Sequence, residues 1–170
     1  MSLVLHGSNG VTYPDGNTQA GATAVAQIVT DSEDAHSSHT TVIPVDDTIP
    51  QITEGEELLT VTITPTNASS VLVIDFFCGV ADDGQATWTI ALFVDTTADA
   101  IQAWSYWDTS ASHPRFGVLR HFLSAGSTAA RTYKIRIGPA GGTLYINGIQ
   151  AGRLFGGIAI TNLTVTEYLP

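Results

Sequence analysis

Short runs of alternating apolar and polar residues recur along this chain, and they constrain its fold more than any other feature. In residues 59–64, Leu59, Val61 and Ile63 are each followed by a threonine, and in residues 131–137 Tyr133 begins a similar alternation. Successive side chains of a β-strand point to opposite faces, so such a run buries one face and exposes the other. The chain is therefore predicted to fold from β-strands.

Turn-forming sequences divide these runs into eight expected strands. They lie at residues 59–64, 71–80, 87–94, 100–104, 116–123, 131–137, 143–146 and 158–168. No long helical period interrupts them, which favours an all-β, antiparallel β-sandwich or barrel. Among these architectures we predict a jelly roll of two four-stranded sheets.

The strand at residues 71–80 is apolar on both faces. Leu72, Ile74 and Phe76 lie on one face, and Val71, Val73 and Phe77 lie on the other. This pattern predicts a central strand that is covered on both sides. We also expect Cys78 and Trp88 to pack in the core, since free cysteine is often buried and Trp88 alternates with apolar residues.

The N-terminal part of the chain has a different composition. Residues 7–40 are rich in small and polar residues, and Val25, Ile28 and Val29 are too few to form a core. This segment therefore needs the main domain or other copies of itself as a partner. We predict an N-terminal stalk or anchor at residues 1–40 and a β-sandwich head domain at residues 41–170, without a secretory signal or a membrane-inserted segment.

Charge is distributed unevenly. The net charge is −10, and the residues before Arg115 include fifteen acids and no Lys or Arg, for a sum of −15. From Arg115 onward six basic residues and one acid sum to +5. The acidic total argues against nucleic acid as a partner. The asymmetry suggests contacts between acidic early segments and the basic late strands, within or between subunits.

No catalytic signature is recognisable in the sequence. Nucleophile-elbow, phosphate-loop and His-Glu-x-x-His patterns are missing, so neither an enzyme nor a cofactor is expected. Three adjacent acidic pairs begin at Asp46, Glu56 and Asp82, and all are interpreted as solvated turns. A glycan hydrolase with carboxylates from different loops stays open as an alternative.

His36 and His39 have the spacing closest to that of metal ligands. Two neutral imidazoles three residues apart could share an ion, and a symmetric trimer would multiply the ligands. The alternative is a solvated polar linker.

An aromatic cluster marks a candidate glycan site. Trp104 and Tyr106 are expected on one face of a strand and Trp107 on the other, followed by a polar loop. Exposed rings can stack on a sugar, and polar side chains can bind its hydroxyls. The site would comprise Trp104, Tyr106, Trp107, Asp108, His113 and Arg115. Alternatively, these aromatics fill the end of the sandwich or a subunit interface.

Several segments resemble fibre, spike and tail-tip proteins of tailed bacteriophages, which carry a β-sandwich head. They include Thr41-Val-Ile-Pro-Val-Asp-Asp-Thr-Ile-Pro-Gln51, Tyr145-Ile-Asn-Gly148, and Arg153-Leu-Phe-Gly-Gly157. Residues 10–19 are similar to a short motif that precedes such heads.

The resemblance implies a homotrimeric jelly roll, similar to tumour necrosis factor or complement heads, on a short stalk. It implies a non-enzymatic protein on the virion surface, assembled in the host cytoplasm, that attaches to host glycans and joins other virion proteins through residues 1–40. Two alternatives stay open: a capsid decoration docked through its N-terminal segment, and a free carbohydrate-binding module.

Overall fold

The computed structural model describes residues 4–6, 10–12, 18–19, 24–84, 87–107 and 113–170. In chain order the strands are β1 (Val4–His6), β2 (Gly10–Thr12), β3 (Thr18–Gln19), β4 (Val25–Glu33), β5 (Ser37–His39), β6 (Glu56–Ile63), β7 (Val71–Asp82), β8 (Thr87–Val94), β9 (Gln102–Trp107), β10 (Arg115–Ser124), β11 (Arg131–Pro139), β12 (Leu144–Ile146), β13 (Gly148–Ile149), β14 (Gly152–Arg153) and β15 (Thr161–Tyr168). A 3₁₀ turn (Phe155–Gly157) precedes β15. Within these described ranges, no helix is long and apolar enough to cross a membrane.

Two antiparallel sheets form the sandwich, which confirms the predicted all-β jelly-roll class. One sheet has six strands and is built around β7. Strand β10 pairs with one edge of β7. The other edge pairs with β15, which is followed by β4, and with β12, which is followed by β5. The second sheet has four strands in the order β6-β11-β8-β9. The expected arrangement of two four-stranded sheets is therefore corrected to six and four. Strands β1, β2 and β3 form a separate small sheet, and β13 pairs with β14.

The two additional strands of the large sheet come from the segment assigned to the stalk. Strand β4 pairs with β15, and β5 pairs with β12. Residues 25–39 therefore belong to the sandwich, although the sequence assigned them to the segment that ends at residue 40. Their few apolar residues did not reveal this because β4 is an edge strand, with Val25 and Ile28 exposed and only Val29 packed against the core.

Most strand positions agree with the sequence. Strand β8 lies at the predicted residues, whereas β9 was expected at 100–104 and extends to Trp107. The last strand was expected from residue 158 and begins at Thr161. The delay has a backbone cause at Ile158: this residue ends the 3₁₀ turn with φ −96° and ψ 0°, which lies outside the extended region of strands.

The main core lies between the sheets and includes both residues predicted to be there. Trp88 and Cys78 are buried, and burial raises the pKa of the Cys78 thiol to about 12. Gly117 permits the close approach of β10, because a Cβ there would lie 2.7 Å from the Trp88 ring. The core thus depends on a glycine as much as on large side chains.

The outer face of the four-stranded sheet is covered by the chain itself. Residues 40–55 cross it, and Ile43 packs with Ala91 and Phe93 in a second, smaller core. The Ile43 amide donates to the Pro139 carbonyl at 3.1 Å. Gly138 makes room for this crossing segment, because a Cβ there would lie 2.5 Å from the Thr41 carbonyl oxygen.

Side chains connect the edges of the two sheets at both corners of the sandwich. At one corner Asp31 accepts from the Thr60 amide at 3.1 Å, and Gln27 donates to the Thr64 carbonyl at 2.7 Å. At the other, the Tyr106 hydroxyl accepts from the Val118 amide at 3.1 Å and donates to the carbonyl of the same residue. These contacts occupy backbone groups on β6 and β10 that the ladders leave unpaired.

A buried carboxylate fixes the turn before β7. Glu167 of β15 accepts from the Gln27 side chain at 2.6 Å and from the Thr66 amide and hydroxyl, both at 2.9 Å. Burial opposes the charged form, but the hydrogen bonds, that from Gln27 foremost, outweigh it and lower the pKa of Glu167 to about 2.

Candidate functional site

The outer side of the six-stranded sheet carries an exposed apolar surface. We call it the open face and define it by the outward side chains of β7 and β10, which are Val71, Val73, Asp75, Phe77, Phe116, Val118, Arg120 and Phe122. Phe116 is 69% exposed and Phe122 61% exposed. Phe77 and Phe116 stack with their ring centroids 5.3 Å apart.

This surface corrects one expectation from the sequence. Strand β7 is central in its sheet, as predicted, but only one of its faces is covered in the single chain. Val71 and Phe77 are exposed, and none of the described residues covers the β7–β10 side as residues 40–55 cover the other sheet. Strand β7 is therefore apolar on both faces, but the described residues cover only one of them.

The open face has an apolar half and a polar half. Residues opposite each other on neighbouring antiparallel strands share a side of the sheet. Across the middle of the sheet, one such row runs Thr30, Thr164, Asp75, Arg120. The next contains Asn162, Phe77 and Val118. Strands β15 and β4 thus contribute mainly hydroxyl and amide groups beside the apolar strip of β7 and β10. Ile28 of β4 is the apolar exception in the row that runs through Val73 and Phe122.

One ion pair lies in the middle of the apolar strip. Asp75 and Arg120 are register partners, and the Arg120 Nε donates to Asp75 Oδ1. Phe77 and Val118 flank the pair on one side, and Val73 and Phe122 flank it on the other. Both charged side chains are exposed in the single chain.

Two shallow grooves meet at this ion pair. Each has a volume of about 430 Å³, and both include Asp75 and Arg120 among their lining residues. One extends over Phe77 and Val118, and the other extends over Val71 and Phe122 toward the C-terminus. A smaller cavity of about 120 Å³ lies beyond Phe116, beneath residues 154–159. Shallow depressions therefore follow one another along the open face.

Two tryptophans of β9 are also exposed. Trp107 is 76% exposed and Trp104 60% exposed. Trp104 and Tyr106 share a strand face and Trp107 takes the other, as predicted. Tyr106 stacks on the buried Trp88 at 4.4 Å and faces the core, so Trp107 points away from the core, on the outer side of the four-stranded sheet.

The other predicted glycan-site residues are only partly brought together. Asp108 lies outside the described residues. His113 and Arg115 are exposed, and Arg115 lines the small cavity next to Phe116 in the other sheet. Tyr106 uses its hydroxyl to hold the edge of β10. Trp104 and Trp107 therefore stand on opposite faces of their strand and do not form one continuous platform, and the glycan site stays a prediction.

Both histidines of the predicted metal site have partners within the chain. His39 is buried, with Nδ1 2.9 Å from Glu56 Oε2 and Nε2 2.9 Å from Ser37 Oγ. His36 Nε2 lies 3.0 Å from the Ile149 carbonyl oxygen. In the ranges that the structure describes, no three His, Cys, Asp or Glu side chains are grouped for a metal ion. A site that draws ligands from several copies stays a prediction.

Two of the three acidic pairs are not the solvated turns that were expected. Glu56 and Glu57 begin β6, and Asp82 ends β7 in a buried position. Glu56 accepts from the Thr40 and Thr41 amides at 3.0 and 3.2 Å in addition to its contact with His39. Glu57 pairs with Lys134, and Asp82 accepts from the Gly84 amide at 2.9 Å, so all three have structural partners within the chain.

Comparison with known proteins gives a likeness of fold. No protein-family model matches the sequence, and no characterised protein matches it in a sequence search. Among solved structures, Eiger TNF from S. frugiperda is 12% identical with a TM-score of 0.44, over 82% of this chain and 92% of that chain. Infectious bursal disease virus, Gx strain, is 12% identical with a TM-score of 0.38, over 85% and 37%. The enzymatically active domain of bacteriophage CBA120 tailspike protein 4 is 13% identical with a TM-score of 0.29, over 71% and 18%.

With TM-scores below 0.5, none of these structures carries a conclusion about this chain. The chain spans about a third of the bursal disease virus chain and about a fifth of the tailspike chain. At 12–13% identity, nothing about activity or partners is carried over.

Proposed function

We propose that this chain is a non-enzymatic structural protein of a phage particle. In this proposal it forms a trimeric head that assembles through the open face and attaches the particle to the host surface, with glycans as the ligand. The observation that carries the proposal is the exposed apolar strip on the adjacent strands β7 and β10.

An apolar strip of this kind calls for a partner. Phe116, Val118 and Phe122 alternate with Gly117 and Leu119, which pack inward, so the sequence encodes apolar residues on both sides of β10. Large exposed apolar patches on soluble proteins mark interaction sites, because leaving them in water costs free energy. A second copy is the occupant we favour, because Asp75 and Arg120 balance each other and the patch itself has no net charge to repel its copies.

The dimensions of the face are adequate for subunit contact. Strands β7 and β10 pair from Arg115 to Ser124, a length of about 30 Å at roughly 3.3 Å per residue. Four strands about 4.8 Å apart then give a flat area on the order of 500 Å². Side-chain relief enlarges this toward the roughly 800 Å² that each partner buries in a standard interface.

The contact is expected to involve the open face and not strand pairing at the edge of the sheet. Tyr106 occupies the amide and carbonyl of Val118 on the free edge of β10, which opposes strand addition at that edge. Face packing leaves the outer side of the four-stranded sheet free. Trp107 would therefore stay exposed in the assembly, where an indole ring can stack on a sugar.

The first experiment is a mass determination of the full chain in solution. Sedimentation equilibrium at micromolar concentration should give three times the chain mass, and a stable monomer would refute the assembly proposal. Electron microscopy of the parent particle with a labelled antibody should then locate the chain on the outer surface.

A second experiment separates attachment from docking. Deletion of residues 1–23 leaves every strand of the sandwich in place. The truncated trimer should still bind host cells and lose its attachment to the particle. A truncated protein that still joins the particle would exclude the N-terminal segment as the anchor, and an intact trimer that does not bind cells would exclude the attachment function.

A further inference from the structure

We propose that the Asp75–Arg120 pair is shared between copies of the chain. Each Arg120 guanidinium would bind Asp75 of its own chain and Asp75 of the neighbouring copy, which fixes the register of the subunits. This inference rests on the proposed assembly through the open face and specifies how that assembly selects one arrangement.

The position of the pair is the first argument. Asp75 and Arg120 are surrounded along both strands by Val73, Phe77, Val118 and Phe122. As an exposed pair on a single chain it contributes at most about 1 kcal/mol to stability. Covering the strip removes the pair from water, and a desolvated ion pair is tolerated only when its remaining donors and acceptors are satisfied.

The hydrogen-bonding capacity of the pair is the second argument. A guanidinium has five N–H donors, and a carboxylate has about four acceptor positions. Within the described chain, Arg120 donates to Asp75 through Nε, and this bond uses one oxygen of Asp75. The other N–H donors of Arg120 and acceptor positions of Asp75 lie on the solvent side of the sheet, where a second subunit would lie.

Symmetry supplies the complementary groups. In a closed ring of three copies, each subunit presents one part of its surface to a different part of the next subunit. The unused donors of one Arg120 are then presented to the unused acceptors of the next Asp75. Apolar packing alone tolerates sliding along the strands, whereas displacement by one residue pair would bury the remaining donors of Arg120 and acceptors of Asp75 without partners from the neighbouring copy. The pair therefore selects the register more than it tightens the contact.

The test exchanges the two charges and measures subunit mixing. The double variant Asp75→Arg/Arg120→Asp keeps the pair within each chain and reverses its direction. When it is co-expressed with wild type under a different tag, native mass spectrometry should find trimers of each chain alone and few mixed trimers. Mixed contacts would place Arg against Arg or Asp against Asp.

A matched control is available on the other sheet. Lys134 Nζ lies 3.2 Å from Glu57 Oε2 on the outer side of the four-stranded sheet. The exchange Lys134→Glu/Glu57→Lys should mix with wild type at random. Random mixing of the Asp75/Arg120 exchange, or equal sorting of the control, would overturn the shared pair.

Failure of the inference is distinguishable from failure of the proposed function. A monomeric wild-type chain overturns both, whereas a wild-type trimer with random mixing overturns only the shared pair. If the exchange variant does not fold, Arg120→Gln provides a second measurement. It should weaken trimer association at least about tenfold, and unchanged association would count against the inference.

Discussion

Replacement of Phe116 by serine should dissociate the assembly while leaving the sandwich folded. Phe116 lies on the open face, 69% exposed in the single chain. A phenylalanine can bury about 200 Å², so about 140 Å² is left for a partner. At about 25 cal/mol per Å² this amounts to about 3.5 kcal/mol for each chain. Association should therefore weaken by roughly a hundredfold or more.

The same area argument gives the loss of folding stability that Phe116→Ser causes in the single chain. The buried part of Phe116 is about 60 Å², which corresponds to about 1.5 kcal/mol, and the loss is moderated because its main ring contact is Phe77 on the same exposed surface. The circular dichroism spectrum should therefore be unchanged at 20 °C, while sedimentation equilibrium shows a shift from trimer to monomer.

The matched control is Ile49→Ser. Ile49 is 55% exposed, so this substitution also removes an exposed apolar side chain. Ile49 lies in the segment of residues 40–55 and not on the open face. Its variant should keep the wild-type mass. The reasoning is refuted if Phe116→Ser associates as tightly as wild type, or if both variants dissociate equally.

Three further predictions concern single side chains. Trp107→Ala should weaken adhesion to host cells with little change in melting temperature, because Trp107 is largely exposed; a marked fall in melting temperature would assign it to packing. Glu167→Gln should destabilise the fold by about 1–3 kcal/mol, because donors at the Thr66 turn lose an acceptor. Since the pKa of Glu167 is lowered from 4.5 to about 2, its contribution is complete above pH 4.5 and is lost as the pH falls toward 2; urea unfolding of wild type and variant across this range should converge at the acid end, and a constant difference would contradict the assignment. Tyr106→Phe should cost about 0.5–1.5 kcal/mol because the exposed Val118 amide exchanges its tyrosine partner for water; faster amide exchange at Val118 would locate the effect, whereas unchanged exchange would argue against it.

Much of the sandwich was accessible from the sequence because its strands have strong alternation. Residues 87–94 and 131–137 show this most clearly, and β8 and β11 lie there. The edge strands β4 and β5 escaped detection, because an edge strand can be stabilised by ladder bonds and side-chain contacts without a long apolar face. The roles of Asp31 and Gln27 at the corner depend on residues more than 28 positions away, Thr60 and Thr64, which no local pattern reveals.

The candidate site was only partly predictable for a different reason. The apolar residues on both faces of β7 predicted a cover on each face, and the described residues cover only the face toward the core. The sequence could not tell whether the cover comes from the same chain or from another. Phe116, Val118 and Phe122 were expected as part of a strand, but their common exposure follows from the three-dimensional placement of β10 beside β7.

The two sheets differ in how much of their outer faces the chain covers, and this difference bears on how many copies can associate. Residues 40–55 cover part of the four-stranded sheet through Ile43, whereas the described residues leave the β7–β10 side of the other sheet open. A protein that binds its copies through two opposite sides can add copies without limit and form fibres or layers. When copies meet through the open face alone, a ring around an axis uses up that surface, and growth ends in a closed group.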